Sequence, residues 1–262
     1  DLAAKLVRAE GCASAMLALK AQGLQPDVIV AHPGWGEALF CKDVWPQTRL
    51  VVFAEFYYTV DGSDYAFDPE FQTDTPAARM RLRLKNTALL HALAAADAAY
   101  APTHWQKSQV PPEFQHKVEV IFDGIDTQLV KPAAGVRVRL KRDNLELSRA
   151  DEVITFVNRN LEPYRGFHSF MRALPDMLAR RPRAHVLIVG RDGVSYGSRP
   201  KGGGSWKDAM LREVGAGLPA DRVHFLGPLP YAQYLQVPQL STCHVHVTYP
   251  FVVSCSCLES MS

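Results

Sequence analysis

The chain has few cysteines, and they follow no recognisable pattern. Its 262 residues contain five, and none takes part in a Cys/His spacing typical of a zinc site. Cys255 and Cys257 are separated by one residue, which is too close for the usual metal-binding pair. A disulfide framework and a structural zinc site are therefore both disfavoured, and a reduced, cytoplasmic location is expected.

Excess charge of one sign and long apolar runs are also lacking. The formal net charge is +2 and 21% of the residues are charged, so the composition indicates neither nucleic-acid binding nor disorder. No apolar run reaches the roughly 18 residues of a membrane-spanning helix, and no signal peptide opens the chain. With 47% hydrophobic residues, the chain can form one large domain or two of ordinary size.

The charge is divided unevenly along the chain. Residues 1–132 carry 12 Lys+Arg and 16 Asp+Glu, a net charge of −4, and the remainder carries 17 and 11, a net charge of +6. A basic second half suits an anionic nucleotide ligand, although a difference of this size also arises on surfaces without function.

Short β-rich runs alternate with helical patterns, which is typical of parallel sheets built from βαβ units. The predicted strands are residues 28–30, 50–53, 98–100 and 118–121, and then 153–157, 185–189, 223–226 and 244–248. Residues 132–135 predict a linker, so the domains are placed at 1–132 and 133–262. A hairpin of residues 136–140 and 145–147, with a turn at 141–144, is predicted to open the second domain.

The remaining segments predict helices and loops. Residues 2–21 and 79–95 have helical patterns, and 58–75 is rich in Asp, Gly and Pro without periodicity. The Gly-rich segment 190–206 is predicted to be a mobile loop, with Arg191 as a weak candidate contact. Because a doubly wound domain begins with a strand and the chain stops one turn into a helix, a fragment incomplete at both ends is expected.

Two arginines follow the first predicted strand of the second domain. Arg159 and Arg165 lie on either side of a predicted turn, with a helix expected to begin near Gly166. Open α/β sheets bind ligands at this end of a strand, and the free N–H groups of a helix N-terminus favour an anion. Guanidinium groups suit phosphate, so the segment predicts a phosphate site; two solvated surface arginines are the alternative.

The end of the chain predicts a second corner of the same kind. Residues 245–250 have the pattern of a buried strand, and a loop of small residues and the start of a helix follow. Backbone N–H groups of Val253, Ser254 and Cys255 are candidates for binding a diphosphate. Glu259, one turn into the helix, has two acceptor oxygens that suit the O–H groups of a vicinal diol. The alternative is an ordinary glutamate in the first turn of a helix, where the helix dipole favours it.

Candidate residues also follow strands of the first domain. His32 directly follows the first predicted strand and its flanking Ala31. It precedes Pro33-Gly34-Trp35-Gly36-Glu37, where glycines allow close approach of a ligand. Glu55 follows the second strand and opens Glu55-Phe56-Tyr57-Tyr58. A structural histidine and an aromatic packing cluster are the alternatives.

Together with residues 118–126, these segments resemble the retaining GT-B glycosyltransferases of family 4 (group 1), in their bacterial branch. The resemblance implies an α/β fold of two Rossmann-like doubly wound domains facing each other across a cleft. It implies transfer, with retention, of a hexosyl group from a nucleotide-diphosphate sugar bound by the second domain to a glycan or lipid-linked acceptor bound by the first. It also implies that no metal or cofactor is needed, with the nucleotide sugar as co-substrate.

Site residues follow from the resemblance position by position. It implies three catalytic residues, His32, Arg159 and Arg165. The implied donor-binding residues are Arg159, Arg165, Val253, Ser254, Cys255 and Glu259, and the acceptor-side residues are Gly34, Trp35 and Glu55. Arg165 stands where the family has Lys, which keeps the charge. Phe251 stands where the family has a second glutamate that contacts the transferred sugar, so the sugar and the detailed mechanism are left open.

Other functions remain compatible with these residues. A nucleotide-sugar epimerase or hydrolase on the same fold is one alternative, and a non-catalytic nucleotide-sugar-binding module is another. A dehydrogenase is disfavoured because no GxGxxG follows a predicted strand. No nucleic-acid partner is expected, and the oligomeric state and a peripheral association with membranes are left open.

Overall fold

The computed structural model describes residues 2–140 and 144–262, which form two compact units. The first unit extends to Asp123 and also includes Pro250–Val252, whereas the second comprises Gly124–Tyr249 and Val253–Ser262. The units divide between Asp123 and Gly124, so the linker predicted at residues 132–135 falls within the second unit. The assignment of an acceptor role and a donor role to two domains stays a prediction.

In the described residues, the first unit contains a parallel sheet and six α-helices. Its strands, in the order β1-β2-β3-β4, are β1 (Val28–Ala31), β2 (Arg49–Phe53), β3 (Ala98–Ala101) and β4 (Val118–Val120). Its helices are α1 (Leu2–Ala21), α2 (Cys41–Val44), α3 (Pro76–Lys85), α4 (Thr87–Ala95), α5 (His104–Gln109) and α6 (Pro112–Gln115).

The core of the first unit lies between β2, β3 and α4. Leu50 and Val52 alternate with less buried residues along β2, as expected for a strand with one face on the core. Leu89 and Leu93 of α4 are four residues apart and belong to the same buried cluster. This core fixes the sheet whose carboxyl edge carries His32 and Glu55.

The single helix predicted at residues 79–95 is wrong, because two helices meet at Asn86. The Asn86 side chain accepts a hydrogen bond from the Tyr58 N–H at 2.9 Å and donates one to the Tyr58 carbonyl at 2.8 Å. Asn86 is buried, so these bonds satisfy an amide that would otherwise be costly to bury. They also hold the start of the long loop at residues 58–75.

The second unit opens with an antiparallel hairpin of β5 (Arg137–Leu140) and β6 (Leu145–Ser148), as predicted. The predicted turn at 141–144 falls largely on residues 141–143, which lie outside the described residues. A parallel sheet in the order β10-β7-β8-β9 follows, formed by β7 (Val153–Asn160), β8 (His185–Arg191), β9 (Val223–Gly227) and β10 (Cys243–His244). Its helices are α7 (Phe167–Arg180), α8 (Trp206–Val214), α9 (Tyr231–Leu240) and α10 (Cys255–Met261).

Both faces of the second sheet are covered. Phe156 of β7 belongs to one buried cluster with Phe170 and Leu174 of α7, whereas its neighbour Val157 belongs to another with Val237 of α9. The continuous burial of β7 from Val153 to Asn158 is typical of a central strand in a doubly wound sheet. The carboxyl end of β7 is thereby held rigidly.

The strand predicted at residues 244–248 is much shorter, and β10 ends at His244. After the Val245 N–H bonds to the Thr155 carbonyl, the chain leaves β7. Both the Tyr249 N–H and the Thr248 hydroxyl then bond to the carbonyl of Tyr164. The backbone of this segment therefore follows the turn after β7 rather than the strand itself.

Candidate functional site

Arg159 lies within β7 rather than in the turn that follows it. It is exposed, whereas its neighbours Asn158 and Asn160 are buried. The register with β8 shifts between Val157 and Asn160, and irregularities of this kind re-aim side chains at the end of a strand. Arg159 forms no ion pair with any residue of the described ranges, so its guanidinium is free to bind an anion.

A tight turn after β7 fixes the position of Arg165. Pro163–Arg165 forms one 3₁₀ turn that ends at Gly166, which has φ 70°, and α7 begins at the next residue. A Cβ atom at position 166 would lie 1.7 Å from the carbonyl oxygen of Val247. Both the left-handed backbone and the close approach therefore require glycine here.

Arg165 is buried without a carboxylate partner in the described part of the chain. The residue is 8% exposed, and its guanidinium carbon lies 5.9 Å from the ring centroid of Tyr164 and 5.2 Å from that of Tyr196. The Nε–H is buried and has no hydrogen-bond partner among residues 2–140 and 144–262. An unsatisfied buried donor on a charged group is destabilising, typically by about 1–3 kcal/mol or more. A bound anion would satisfy it.

Glu162 holds one side of this site and was not singled out from the sequence. Its fully buried carboxylate accepts hydrogen bonds from the N–H groups of Ser195 at 2.9 Å, Tyr196 at 3.3 Å and Gly197 at 3.0 Å. Tyr196 consequently stacks on Tyr164 with ring centroids 5.1 Å apart. The Gly-rich segment expected to be a mobile loop is thus attached, at these three residues, to the turn that carries Arg165.

Two histidines near Arg165 were also missed. Burial and the nearby His246 lower the pKa of His244 to about 4, and burial followed by the charge of Arg165 lowers the pKa of His246. One nitrogen of each ring, Nε2 of His244 and Nδ1 of His246, is buried without a partner in the described part of the chain. Their alternation along residues 244–246 was the available signal, since it places both on one face. These nitrogens add to the unsatisfied polar groups around Arg165.

The amino end of α10 lies against the carboxyl end of β7. The Ser256 hydroxyl donates to the Val157 carbonyl at 3.3 Å, and the Ser254 and Ser256 hydroxyls are 2.8 Å apart. Ser254 directly precedes α10, and the adjacent Val253 and Cys255 are both exposed or partly exposed. The predicted diphosphate-binding segment is therefore accessible and lies beside the end of β7.

Glu259 is held by two tyrosines of α9. The Tyr231 hydroxyl donates to Oε1 of Glu259 at 2.7 Å, and the Tyr234 hydroxyl donates to Oε2. The hydrogen bond to Glu259 raises the pKa of Tyr231 to about 12, so this hydroxyl remains a donor at neutral pH. The orientation of the carboxylate is fixed by these bonds.

In the first unit, the structure brings His32 and Glu55 together. The Nδ1 atom of His32 accepts a hydrogen bond from the Gly34 N–H at 3.1 Å, so the proton of the neutral ring lies on Nε2. Nε2 lies 3.0 Å from Oε2 of Glu55 and donates to it. The hydrogen bond to Glu55 is the main cause that raises the pKa of His32 above its usual value. Both ring nitrogens are therefore engaged.

A hydrogen bond to its carbonyl holds Glu55 just beyond the end of β2. Gln106, which is buried, donates from Nε2 to the Glu55 carbonyl at 2.6 Å. Desolvation, and then the charge of Glu55, raise the pKa of Asp123, which follows β4. The carboxyl edge of the first sheet therefore carries an imidazole and two carboxyl groups.

Trp35 and Phe251 have contrasting environments. Trp35 is 60% exposed, and the guanidinium carbon of Arg8 lies 5.2 Å from its ring centroid. Phe251 is buried, and its ring packs edge-on against Phe56 with centroids 4.5 Å apart. Trp35 is thus available to a ligand, whereas Phe251 is part of an aromatic cluster of the first unit.

Neither a metal-binding group nor a membrane-spanning helix is present in the described residues. Within residues 2–140 and 144–262, no three His, Cys, Asp or Glu side chains are grouped so that they could hold a metal ion. No helix in the same ranges is long and apolar enough to cross a membrane.

Solved structures with the same fold are glycosyltransferases of the GT-B class. An alpha,alpha-trehalose-phosphate synthase (UDP-forming) from Burkholderia vietnamiensis matches with TM-score 0.63 and 14% identity over 96% of this chain and 59% of its own. Sucrose-phosphate synthase from Thermosynechococcus elongatus matches with TM-score 0.62 and 16% identity over 96% of this chain and 58% of its own. An E. coli protein described as trehalose-6-phosphate bound with UDP-2-fluoro glucose matches with TM-score 0.57 and 12% identity, over 96% and 60%. The predicted GT-B fold is confirmed, and the chain spans about 58% of the length of such structures.

A family model matches just under half of the chain, at its amino-terminal end. Residues 1–130 match the model of the glycosyl transferase family 4 group, the family that the sequence motifs resemble. No curated protein matches the chain.

Proposed function

We propose that this protein transfers a hexosyl group from a nucleotide-diphosphate sugar to a hydroxyl of a glycan or lipid-linked acceptor, with retention of anomeric configuration. The family and the fold support the transferase class. Retention, the acceptor and independence from metal and cofactor are further parts of the proposal.

The observation that carries the proposal is Arg165, a buried residue whose Nε–H has no hydrogen-bond partner in the described part of the chain. A protein does not normally bury a cation without a partner, because desolvation is costly unless a ligand compensates for it. The position of this cation, between the carboxyl end of β7 and the start of α7, is where α/β sheets bind phosphate groups. A diphosphate would supply both the charge and the acceptor that Nε lacks.

The chemical step follows from these charges. As the bond between the anomeric carbon and the diphosphate oxygen breaks, negative charge grows on the leaving diphosphate. Arg165 and the exposed Arg159 stabilise it, and charge placed in advance is typically the largest catalytic term. The acceptor oxygen bonds to the anomeric carbon, and its proton passes to the departing phosphate. Glu259 binds the ribose diol, and the segment from Val253 to Cys255 adds backbone N–H groups.

His32 and Glu55 are proposed to contact the transferred sugar or the acceptor. Because both ring nitrogens are engaged, His32 contacts a sugar hydroxyl only by exchanging its bond to Glu55 or to the Gly34 N–H. The Glu55 bond is the one available for exchange, because the carboxylate is partly exposed and can accept a sugar hydroxyl itself. Exposed Trp35 and the adjacent Gly34 form the rest of the proposed acceptor-side surface.

The test is a panel of UDP-, GDP- and ADP-sugars offered to the purified protein, with binding read by calorimetry and product by chromatography. Release of nucleoside diphosphate that depends on an added acceptor, with an α-linked product from an α-linked donor, supports a retaining transferase. EDTA should leave the rate unchanged. Release without an acceptor would indicate a hydrolase, and binding without release would indicate a non-catalytic module; either result contradicts the proposal.

A further inference from the structure

Both carboxylate oxygens of Glu259 accept hydrogen bonds from a neighbouring helix. Tyr231 and Tyr234 lie three residues apart on α9, which places them on the same face of the helix. Their rings stack with centroids 5.7 Å apart and an interplanar angle of 28°. Each hydroxyl donates to a different oxygen of the same carboxylate. The two tyrosines therefore act on Glu259 as a pair.

Contacts outside α10 must set the direction of the Glu259 side chain. The helix backbone leaves a glutamate side chain several staggered rotamers, so contacts with neighbouring elements select among them. The Ser256 hydroxyl attaches the first turn of α10 to β7, but this bond lies one turn away from Glu259. At the position of Glu259 itself, the restraint comes from Tyr231 and Tyr234.

Tyr234 is a rigid support for this restraint. Its ring packs against the buried cluster that contains Val237 and Leu240 of the same helix and Val157 of β7. Burial, and then the hydrogen bond to Glu259, raise the pKa of Tyr234, so its hydroxyl is a donor throughout the physiological range. Tyr231 is 50% exposed and completes the pair from the solvent side.

Two tyrosine hydroxyls do not exhaust the capacity of a carboxylate. Its two oxygens offer about four lone-pair directions, so about two remain for a ligand. A carboxylate whose rotamer is already fixed binds a diol without the entropic cost of ordering a flexible side chain. The two tyrosine hydrogen bonds therefore occupy about half of the acceptor positions of Glu259 and fix the direction of the remaining ones toward a ligand.

We propose that Tyr231 and Tyr234 are positioning residues that hold Glu259 in the orientation in which it accepts the vicinal diol of the donor ribose. This inference rests on the proposed function, because it assumes that Glu259 binds a nucleoside diphosphate. If the tyrosine hydroxyls instead blocked the carboxylate until a ligand displaced them, the same variants would bind the ribonucleotide more tightly.

The experiment uses Tyr231→Phe, Tyr234→Phe and the double variant, which remove the hydroxyls and keep the rings. Calorimetry gives the Kd of UDP, ADP and GDP, and of the 2′,3′-dideoxy form of the nucleotide that binds most tightly. We expect the double variant to raise the Kd of the ribonucleotide about 2- to 10-fold, the range for losing one preordered side chain. The Kd of the dideoxy form, which has no diol, should stay unchanged.

A matched control comes from the first unit. The Tyr65 hydroxyl donates to Oδ1 of Asp74 at 2.7 Å, the same distance as between Tyr231 and Glu259. Tyr65→Phe therefore removes a bond of the same kind and should change neither Kd. Thermal melting of each variant checks that the second unit remains folded.

Each other outcome overturns the inference. Equal weakening of both nucleotides would show a general structural role, an unchanged Kd would show no role, and tighter binding of the ribonucleotide would show that the tyrosines block the site. Glu259→Ala separates this failure from failure of the proposed function. If Glu259→Ala still binds the ribonucleotide more tightly than the dideoxy form, Glu259 is not the ribose ligand and the assignment of the donor site is wrong. If Glu259→Ala loses this preference while the tyrosine variants keep it, only the positioning role of the tyrosines is wrong.

Discussion

Replacing Arg165 with alanine is the sharpest test of the donor site. Arg165 is 8% exposed, so its charge acts where water screens weakly, and no carboxylate among the described residues neutralises it. Removing one preorganised group that stabilises developing charge typically costs about 2–4 kcal/mol of transition-state stabilisation. We therefore expect kcat to fall by roughly 10²- to 10³-fold.

The assay is steady-state transfer from the nucleotide sugar selected by the binding panel. Arg165→Lys should retain more activity than Arg165→Ala, because it keeps the charge and because lysine occupies this position elsewhere in the family. Truncation also removes the contacts of the guanidinium with Tyr164 and Tyr196, each worth roughly 0.5–2 kcal/mol. The melting temperature of both variants therefore has to be measured, with and without nucleotide.

A surface arginine of the helix that follows provides the control. The Arg180 side chain is 77% exposed and pairs with Asp176 one turn earlier on α7. Its replacement by alanine should change stability by at most about 0.5 kcal/mol and leave transfer unaffected. Undiminished turnover in Arg165→Ala, with the control behaving as stated, would refute the reasoning: the buried guanidinium would then serve only to pack the tyrosine rings.

Two further predictions concern single contacts. Glu55→Gln should lower the pKa of His32, because the hydrogen bond to Glu55 is the main cause that raises this pKa. NMR titration of the imidazole ring measures the pKa, and an unchanged value would contradict the prediction. In the parent protein, the stability from this pair is fully present below the usual histidine pKa and is lost as pH rises through the raised one. Gly166→Ala should destabilise the second unit far more than Gly227→Ala in urea unfolding. Both glycines have φ near 70°, but only at Gly166 does a Cβ meet a carbonyl, that of Val247; equal losses would contradict this.

The sequence predicted the strands well where their pattern is local. Runs of buried β-branched and aromatic residues, such as Val153 to Val157, are unambiguous, because burial on both faces of a parallel sheet favours a nearly continuous apolar run. The helix at residues 79–95 was predicted as one because its leucines keep helical spacing across Asn86. Its interruption depends on a bond to Tyr58, 28 residues away in sequence, which no periodicity reveals.

The candidate site was predictable only in part, for the same reason. Arg165 and Gly166 stand out because their neighbours form a strand, a turn and a helix in order. Glu162 lies between them and the strand, yet its partners are backbone N–H groups of residues 195–197, which carry no side-chain signature. The pairing of Tyr231 with Glu259 likewise depends on how α9 packs beside α10. Local chemistry predicts which residues can bind a ligand, whereas tertiary packing decides what holds them.

Phe251 shows how packing can change the chemistry of a site. The family has a carboxylate at this position, but here the ring packs on Phe56, which also contacts Tyr58 and Trp105. Such an aromatic pair contributes about 0.5–1.5 kcal/mol beyond its buried area, and a charged group among these rings would be costly to desolvate. The residue next to Phe56 is Glu55, whose carboxylate is partly exposed and hydrogen-bonded to His32. Under the proposed function, a sugar hydroxyl that would contact the family's glutamate at position 251 can instead bond to the carboxylate of Glu55. The sugar specificity of this protein should therefore respond to changes at Glu55.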